Sequence, residues 1–232
     1  MAPQVPLPAK SIIHSIDKGV PVTNPKQPAF PNPADTWNNR FSQDDFLFGT
    51  DPNEWLREHT NVWQTPSRIL SVADGEGRNS VWLASKGHTV DAFDLADVGV
   101  AKARRLALAN NVAVNFVVAD CDTFAWRNDY YDGVAAIFIQ FADPALRERL
   151  FTNIVRCLKP GGTLILQGYT PKQLEYRTGG PPVLSHLYTE DLLRKSFSDL
   201  EIQVLREYES NVEEGNGHRG HSALIGLVGK RR

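Results

Sequence analysis

The sequence predicts an α/β protein whose mostly parallel sheet carries helices on both faces. Five apolar strand candidates alternate with amphipathic helical stretches through the middle of the chain. Such alternation implies right-handed crossover connections, which place parallel strands side by side and helices above and below them. Two long strand candidates then follow each other directly, as in an antiparallel pair at the edge of a sheet.

The first 34 residues are predicted to form an extension in front of this domain. They contain eight prolines: Pro3, Pro6, Pro8, Pro21, Pro25, Pro28, Pro31 and Pro33. Because proline has no amide proton, a helix or a central strand is excluded from most of the stretch. We expect the extension to be disordered or to lie extended across the domain, either as a dispensable tail or as a lid or dimer arm.

The domain itself is expected over residues 35–232 and begins with a cap over about residues 35–60. Four aromatic residues of the cap stand among polar ones: Trp37, Phe41, Phe46 and Phe48. This pattern is typical of a segment that packs over an apolar surface. A short helix, Glu54–His59, should follow, with Asp51 as its N-cap and Pro52 in the first helical position.

The remaining elements follow in chain order. The five alternating strand candidates are Arg68–Val72, Thr89–Phe93, Val114–Val118, Gly133–Phe138 and Thr163–Gly168. The helices are expected at Asn79–Lys86, Gly99–Asn110, Pro144–Leu158 and Thr189–Phe197, and the final strand pair is Glu201–Glu209 and Ala223–Gly229, joined by a loop at Gly215–Gly220. In the helix Gly99–Asn110 the apolar residues share one face, and Lys102 is expected to turn away from it.

Composition excludes several classes of function. The 25 basic and 27 acidic residues nearly balance, so no electrostatic footprint for nucleic acid is present. Cys121 and Cys157 have no neighbouring ligands at metal spacing, which predicts no metal site. No apolar run reaches membrane-spanning length, and the N-terminal residues lack the pattern of a secretory signal. We expect a cytoplasmic protein whose partner is a small molecule.

A glycine-rich turn at Asp74–Asn79 is the first candidate binding element. Residues 69–79, ILSVADGEGRN, are an apolar strand, a glycine turn and a helix start. Gly75 and Gly77 have no Cβ, so the backbone can run close to a ligand. The amides at the start of the helix then present a partial positive charge to that ligand. A plain strand–helix connection can have the same sequence, so further residues are needed.

Three later strand ends supply them. Asp94 ends the second strand at the carboxyl edge of the sheet, where its carboxylate can accept both hydroxyls of a ribose; capping of a helix is the alternative. Asp120 and the amide of Cys121 follow the third strand and suit the edge of an adenine. Gln140 follows the fourth strand and is expected in the floor of the pocket.

In this order the motifs resemble the class I S-adenosylmethionine-dependent methyltransferases, over about residues 36–229. Three sequence segments are similar to those of the bacterial branch of tellurite-resistance and thiopurine-type methyltransferases. They are GEGRN, YTPKQL at residues 169–174 and EEGNGHRGHSALIGLV. The resemblance implies a Rossmann-like, seven-stranded, mostly parallel sheet with one antiparallel strand, and S-adenosyl-L-methionine as the cofactor. Ser71 stands where the family usually has an acidic residue and Ala73 where it has glycine, so Asp74 is expected to take over part of the polar role.

The resemblance also implies roles for single residues. Asp94 would hold the ribose and Asp120 with Cys121 the adenine. The methionine part would lie against the turn, at Asp74, Gly75, Glu76, Gly77 and Asn79. Trp37 would belong to the cap, and Arg40 would bind the methionine carboxylate. The alternatives are that Trp37 only packs in the hydrophobic core and that Arg40 is an ordinary surface charge.

His218 and Arg219 are the candidate catalytic residues. They stand where tellurite-resistance enzymes resemble this chain with a His-Arg pair thought to bind an oxyanion. An imidazole beside a guanidinium suits an anionic substrate, since arginine offers a planar fork and histidine can add a proton. A plain exposed hairpin is the alternative.

The sequence thus predicts a methyltransferase that acts on a small molecule. The methyl group of the cofactor already sits on a sulfonium, so alignment and exclusion of water are the main tasks. No residue stands out as a base, which favours a soft or anionic nucleophile such as a thiol or a selenium or tellurium oxyanion. The alternatives are a nicotinamide-dependent oxidoreductase, whose third glycine is missing at Ser80, and a non-catalytic domain that binds S-adenosylmethionine or S-adenosylhomocysteine.

Overall fold

The computed structural model describes residues 32–232. The predicted proline-rich extension, residues 1–34, lies outside the described residues except at its end. That end already belongs to a helix, α1 (Pro33–Phe41). Pro33 stands in the first helical turn, where the amide proton that proline lacks has no partner inside the helix. The division of the chain at residue 34 stays a prediction.

The elements alternate through the middle of the chain as expected. The further helices are α2 (Glu54–His59), α3 (Arg78–Ser85), α4 (Asp97–Ala109), α5 (Pro144–Cys157), α6 (Gln173–Tyr176) and α7 (Glu190–Ser196). The strands are β1 (Arg68–Val72), β2 (Thr89–Asp94), β3 (Val114–Val118), β4 (Tyr131–Ile137), β5 (Leu158–Tyr169), β6 (Leu200–Glu214) and β7 (His218–Arg231).

All seven strands form one sheet in the order β3-β2-β1-β4-β5-β7-β6. The first five strands pair in parallel, and β7 runs antiparallel to both of its neighbours, β5 and β6. The predicted fold class, a mostly parallel sheet with one antiparallel strand, is therefore confirmed. Since parallel strands end at the same edge, the residues that follow β1, β2, β3 and β4 meet there.

The loop predicted at Gly215–Gly220 is wrong in its extent. Strands β6 and β7 continue toward each other until Glu214 pairs with His218 and Glu213 with Arg219. Only residues 215–217 remain as a turn, in which Gly215 adopts a φ of +61° that favours glycine. His218 and Arg219 are therefore strand residues, and successive strand residues point to opposite faces of a sheet.

In the described part of the chain, four apolar clusters pack around the sheet, and two of them are the largest. The larger one includes Phe93, Ile139 and Ile225, and the other includes Trp55 and Ile69. Helix α2 approaches β7 very closely, because a Cβ at Gly226 would stand 2.3 Å from the Trp55 ring. The helix therefore seals the sheet at a position that only glycine can occupy.

A buried ion pair fastens the cap to the domain, and it corrects the expected orientation of Lys102. This side chain is buried rather than turned away, and its ammonium pairs with the Glu76 carboxylate. It also donates to the carbonyls of Gln43 (2.8 Å) and Asp45 (2.6 Å), while Glu76 accepts the amide of Leu47 at 2.7 Å. A buried ammonium needs such a set of acceptors to offset its lost hydration.

Asn53, not Asp51, is the N-cap of α2. Its side chain accepts the amide of Leu56 at 3.0 Å. The same side chain donates to Gln167 (2.6 Å) and to Glu214 (2.7 Å), so the cap also ties the helix to the ends of β5 and β6. Within residues 32–232, no helix is long and apolar enough to cross a membrane. Over the same range, no group of three His, Cys, Asp or Glu residues is placed to hold a metal ion.

Candidate active site

The glycine turn after β1 has the backbone that a close approach requires. Ala73, Gly75 and Gly77 have φ values of +49°, +61° and +94°. Ala73 thus holds a left-handed conformation without being glycine, which costs about 1–2 kcal/mol. A Cβ at Gly77 would stand 2.7 Å from Cβ of Ala103, so this glycine lets α3 pack on α4. Gly75 faces the Phe41 ring of the cap.

Asp74 is half-buried in the turn. One carboxylate oxygen accepts the Ser71 hydroxyl at 2.6 Å, and the other accepts the Ser80 hydroxyl at 2.5 Å. Burial raises the pKa of Asp74, although the bonds from Ser71 and Ser80 oppose the shift. The Asp74 carboxylate therefore lies beside Ser71, the position where the family usually has an acidic residue.

Asp94 lies at the centre of the predicted site. Its two carboxylate oxygens accept the amides of Gly75 and Ala96, each at 2.9 Å. Each oxygen keeps a lone pair for a further donor. Burial raises the pKa of Asp94 to about 6, although the amides of Ala96 and Gly75 oppose the shift. The side chain thus holds the turn and still borders open space.

An outer cavity of about 340 Å³ lies on one side of Asp94. Its walls include Phe93, Ala119, Asp120 and Cys121. Oδ1 of Asp120 accepts the amides of Asp122 (2.9 Å) and Thr123 (2.7 Å), which fixes the loop that follows β3. Burial raises the pKa of the Cys121 thiol to about 12, so this thiol stays protonated at neutral pH. The cavity is mostly apolar, and four aspartates, Asp94, Asp120, Asp122 and Asp143, contribute to its lining, which suits an adenine with its exocyclic amine.

A narrow middle cavity of about 80 Å³ lies on the other side of Asp94, over the glycine turn. Asp74, Gly75 and Asn79 line it, together with Arg78. The buried guanidinium of Arg78 donates from Nη2 to Glu214 at 2.6 Å, but its Nη1 has no hydrogen-bond partner among the described residues. An unpaired buried donor is costly, so this nitrogen is suited to an anionic group of a ligand.

An inner cavity of about 240 Å³ follows. It is enclosed by Trp37, Phe138, Tyr169 and His218, and Arg40 stands at its edge. The hydroxyl of Tyr169 is buried and has no hydrogen-bond partner within the part of the chain that the structure describes. His218 lies between the rings of Phe48 and Phe138, each with its centroid 4.4 Å away. This cavity therefore combines aromatic walls with a few polar groups.

The three cavities form one continuous trough. Outer and middle cavities share Ala73 and Asp94, and middle and inner cavities share Phe138 and His218. Phe141 borders all three. A ligand with an apolar ring, a ribose and a charged end would thus extend from Cys121 past Asp94 to the turn, with its far end beside the inner cavity.

The trough brings together many of the predicted residues. Those that line it are Trp37, Arg40, Asp74, Gly75, Asn79, Asp94, Asp120, Cys121, Gln140 and His218. Arg40 borders the inner cavity only, with its guanidinium carbon 4.4 Å from the Trp37 ring centroid. The amide of Gln140 is held by the backbone of Tyr169, donating to its carbonyl at 2.8 Å and accepting its amide at 2.6 Å. Gln140 therefore positions the end of β5.

Three predicted residues lie outside the trough. Glu76 pairs with Lys102 and fastens the cap, and Gly77 serves helix packing. Arg219 is exposed on the face of β7 opposite His218, because the two are neighbours in a strand and not in a loop. Arg78, Phe138 and Tyr169 were not singled out as site residues, although Arg78 stands inside the phrase GEGRN. A φ of +54° at Phe138 marks a strained backbone that turns its ring into the trough.

Comparison with known proteins agrees with this geometry. Residues 69–162 match the family described as a methyltransferase domain. The demethylmenaquinone methyltransferase of Clavibacter sepedonicus is 28% identical over 146 residues, 63% of this chain and 55% of that protein. That of Thermus thermophilus is 31% identical over 128 residues, 53% of this chain and 57% of that protein. The chain thus spans little more than half the length of these relatives.

A solved structure shows the same fold. TehB from Haemophilus influenzae superposes with a TM-score of 0.63 at 16% identity, over 86% of this chain and 67% of that one. The trough fits S-adenosyl-L-methionine, since it combines a carboxylate that can accept ribose hydroxyls with a guanidinium nitrogen, Nη1 of Arg78, that has no hydrogen-bond partner among residues 32–232. In its matched domain, its fold and its relatives, the chain is similar to the class I S-adenosylmethionine-dependent methyltransferases.

Proposed function

We propose that the protein transfers the methyl group of S-adenosyl-L-methionine to a small molecule bound in the inner cavity. The observation that carries the proposal is the continuity of the trough from Cys121 past Asp94 to His218. When bound, the cofactor supplies a methyl group on a sulfonium, which is a good leaving group. The protein aligns the acceptor and excludes water from it.

The described residues divide the binding of the cofactor among them. Asp120 and the Cys121 amide would hold the adenine, and Asp94 the ribose. Arg78 is better placed than Arg40 for the methionine carboxylate, since Arg78 lines the middle cavity and its Nη1 has no hydrogen-bond partner among residues 32–232. A guanidinium with one free face is suited to a carboxylate. Arg40, which lines the inner cavity, would then contact the methyl acceptor.

The acceptor is proposed to be small and to carry negative charge on its nucleophilic atom when the methyl group is transferred. Arg219, the expected partner of His218, does not line the inner cavity, whereas Arg40 does, so we assign to Arg40 the cationic role expected of Arg219. Thiols and selenium or tellurium oxyanions meet this description. Two relatives are named for demethylmenaquinone, and the aromatic walls of the inner cavity suit a ring-shaped acceptor equally well.

Two experiments test the proposal. Calorimetric titration should show binding of S-adenosylhomocysteine and no binding of NADH, which would otherwise support the oxidoreductase alternative. Mass spectrometry should then detect a methylated product with at least one member of a panel of thiols, oxyanions and hydroxylated aromatics. Tight cofactor binding without any product over the panel would support the non-catalytic alternative.

A further inference from the structure

The hairpin between β6 and β7 places a carboxylate beside the imidazole of the inner cavity. Glu214 and His218 are direct partners in the antiparallel register, and Nδ1 of His218 lies 3.5 Å from Oε2 of Glu214. Catalytic hydrogen bonds of this length are common before a substrate is bound. The rings of Phe48 and Phe138 hold the imidazole from two sides. The orientation of His218 is therefore fixed by packing as well as by the carboxylate.

Glu214 is itself held in place as an anion. It accepts Nη2 of Arg78 at 2.6 Å and Nδ2 of Asn53 at 2.7 Å. Burial alone would raise the pKa of Glu214, but the bond from His218 and the charge of Arg78 lower it to about 2. A carboxylate at Nδ1 selects the tautomer that carries its proton there. Nε2, which has no hydrogen-bond partner within residues 32–232, then keeps its lone pair for the cavity.

Burial, assisted by two neighbouring cations, favours the neutral form of His218 near pH 7. Burial lowers its pKa below the usual value of 6.5, and the cations Arg78 and Arg40 act in the same direction. Glu214 opposes them. The hydroxyl of Tyr169, from β5, also lies on this cavity and stays protonated, because burial raises its pKa. A buried neutral imidazole with one free nitrogen can accept a proton from a bound acceptor.

We propose that His218 is the general base of the methyl transfer, that Glu214 is its positioning residue, and that the acceptor arrives as a neutral, weakly acidic thiol or hydroxyl compound with an aromatic ring. This inference rests on the proposed function. The acceptor X–H gives its proton to Nε2 of His218. The electron pair left on X forms the bond to the methyl carbon, and the carbon–sulfur bond breaks with its pair going to sulfur. The products are X–CH₃ and neutral S-adenosylhomocysteine, and the proton leaves His218 for solvent.

The dyad can be examined without any acceptor. Protein labelled with ¹⁵N at histidine and saturated with S-adenosylhomocysteine is titrated by NMR, and His218 is assigned from the His218→Gln spectrum. We expect a protonated Nδ1, an unprotonated Nε2 and a pKa below 6.5. Glu214→Gln should lower this pKa further, because the carboxylate that stabilises the imidazolium is lost. Glu213→Gln, a neighbour on the exposed face, should change nothing. A proton on Nε2 of His218, or an unchanged His218 spectrum in Glu214→Gln, would refute the assignment of Glu214 as the positioning residue.

Turnover then tests the role of the base with two thiols of similar shape. 4-Nitrothiophenol is ionised at neutral pH, whereas phenylmethanethiol is not. At saturating cofactor, His218→Gln should lower kcat/KM for phenylmethanethiol by roughly a hundredfold or more and leave that for 4-nitrothiophenol nearly unchanged. An equal loss for both thiols would show that His218 only shapes the cavity. If the wild-type protein did not bind S-adenosylhomocysteine, the proposed function would be refuted. The NMR measurement of the His218 tautomer in the free protein would still test the contact with Glu214 independently.

Discussion

Replacement of Asp94 by asparagine tests the centre of the trough. Asparagine keeps the shape of the side chain, and its oxygen can still accept one backbone amide. It loses the charge that two ribose hydroxyls would share. One charge-assisted hydrogen bond contributes about 1.5–3 kcal/mol. We therefore expect the Kd of S-adenosylhomocysteine to rise roughly ten- to over a hundredfold in Asp94→Asn.

Calorimetry at pH 8 measures this change, with Asp91→Asn as the matched control. Asp91 is a buried carboxylate of the same strand that lies on none of the three cavities. Thermal unfolding of both variants establishes that they are folded. Unchanged affinity in folded Asp94→Asn would refute the assignment of the ribose, and with it the direction in which the cofactor lies.

The same residue predicts how binding depends on pH. Its pKa in the free protein is raised to about 6, chiefly by burial. Ribose hydroxyls donate to the ionised carboxylate, so the bound state must have a lower pKa. Affinity for the cofactor should be constant above this pH and fall below it by up to about tenfold per unit, which is the linkage of one proton. In Asp94→Asn this dependence should be absent.

Three further predictions concern other parts of the molecule. Arg78→Lys should weaken S-adenosylhomocysteine roughly tenfold and leave 5′-methylthioadenosine, which lacks the carboxylate, nearly unaffected; Arg40→Gln should affect the binding of neither. An equal loss of both ligands in Arg78→Lys would place the carboxylate elsewhere. Lys102→Met should lower the free energy of unfolding, measured in urea, by about 3–5 kcal/mol, because Glu76 is left buried without its cation. The double variant Lys102→Met, Glu76→Gln should recover most of this loss, and a double variant without recovery would contradict the ion pair. Deletion of residues 1–30 should leave Tm nearly unchanged, since so proline-rich a stretch adds little to a regular core, and a large drop would show that it packs on the domain.

The sequence predicts the sheet well because each strand carries its own pattern. Apolar runs, glycine turns and the direct succession of β6 and β7 are local signals, and together they determine the topology. The position of Asp94 could also be predicted, because the end of a parallel strand next to a glycine turn is a fixed place in such a fold. The ends of the strands in the final hairpin could not be predicted, since glycines and polar residues suit a loop and a strand equally.

Residues whose partners come from distant parts of the chain could not be predicted. Lys102 has an ordinary position for a solvated lysine, and its acceptors lie 57 and 59 residues away. Arg78 is separated from Glu214 by 136 residues, and only their contact shows that one of its nitrogens is left unpaired. Glu214 gains its role from the pairing across the hairpin. The periodicity of apolar residues indicates which face of a helix or strand is buried, but not which charged residue from another element lies against it.

The position of β7 in the sheet has a consequence for the synthesis of the protein. This strand lies between β5 and β6, yet it follows both in the chain. While a ribosome is still making it, β5 has an open edge and β6 has no neighbour in the sheet. Unpaired edges of this kind are prone to wrong association. His218 begins β7, so the inner cavity is completed by the same event that closes the sheet. A nascent chain can therefore have its cofactor turn in place well before it has a site for the acceptor.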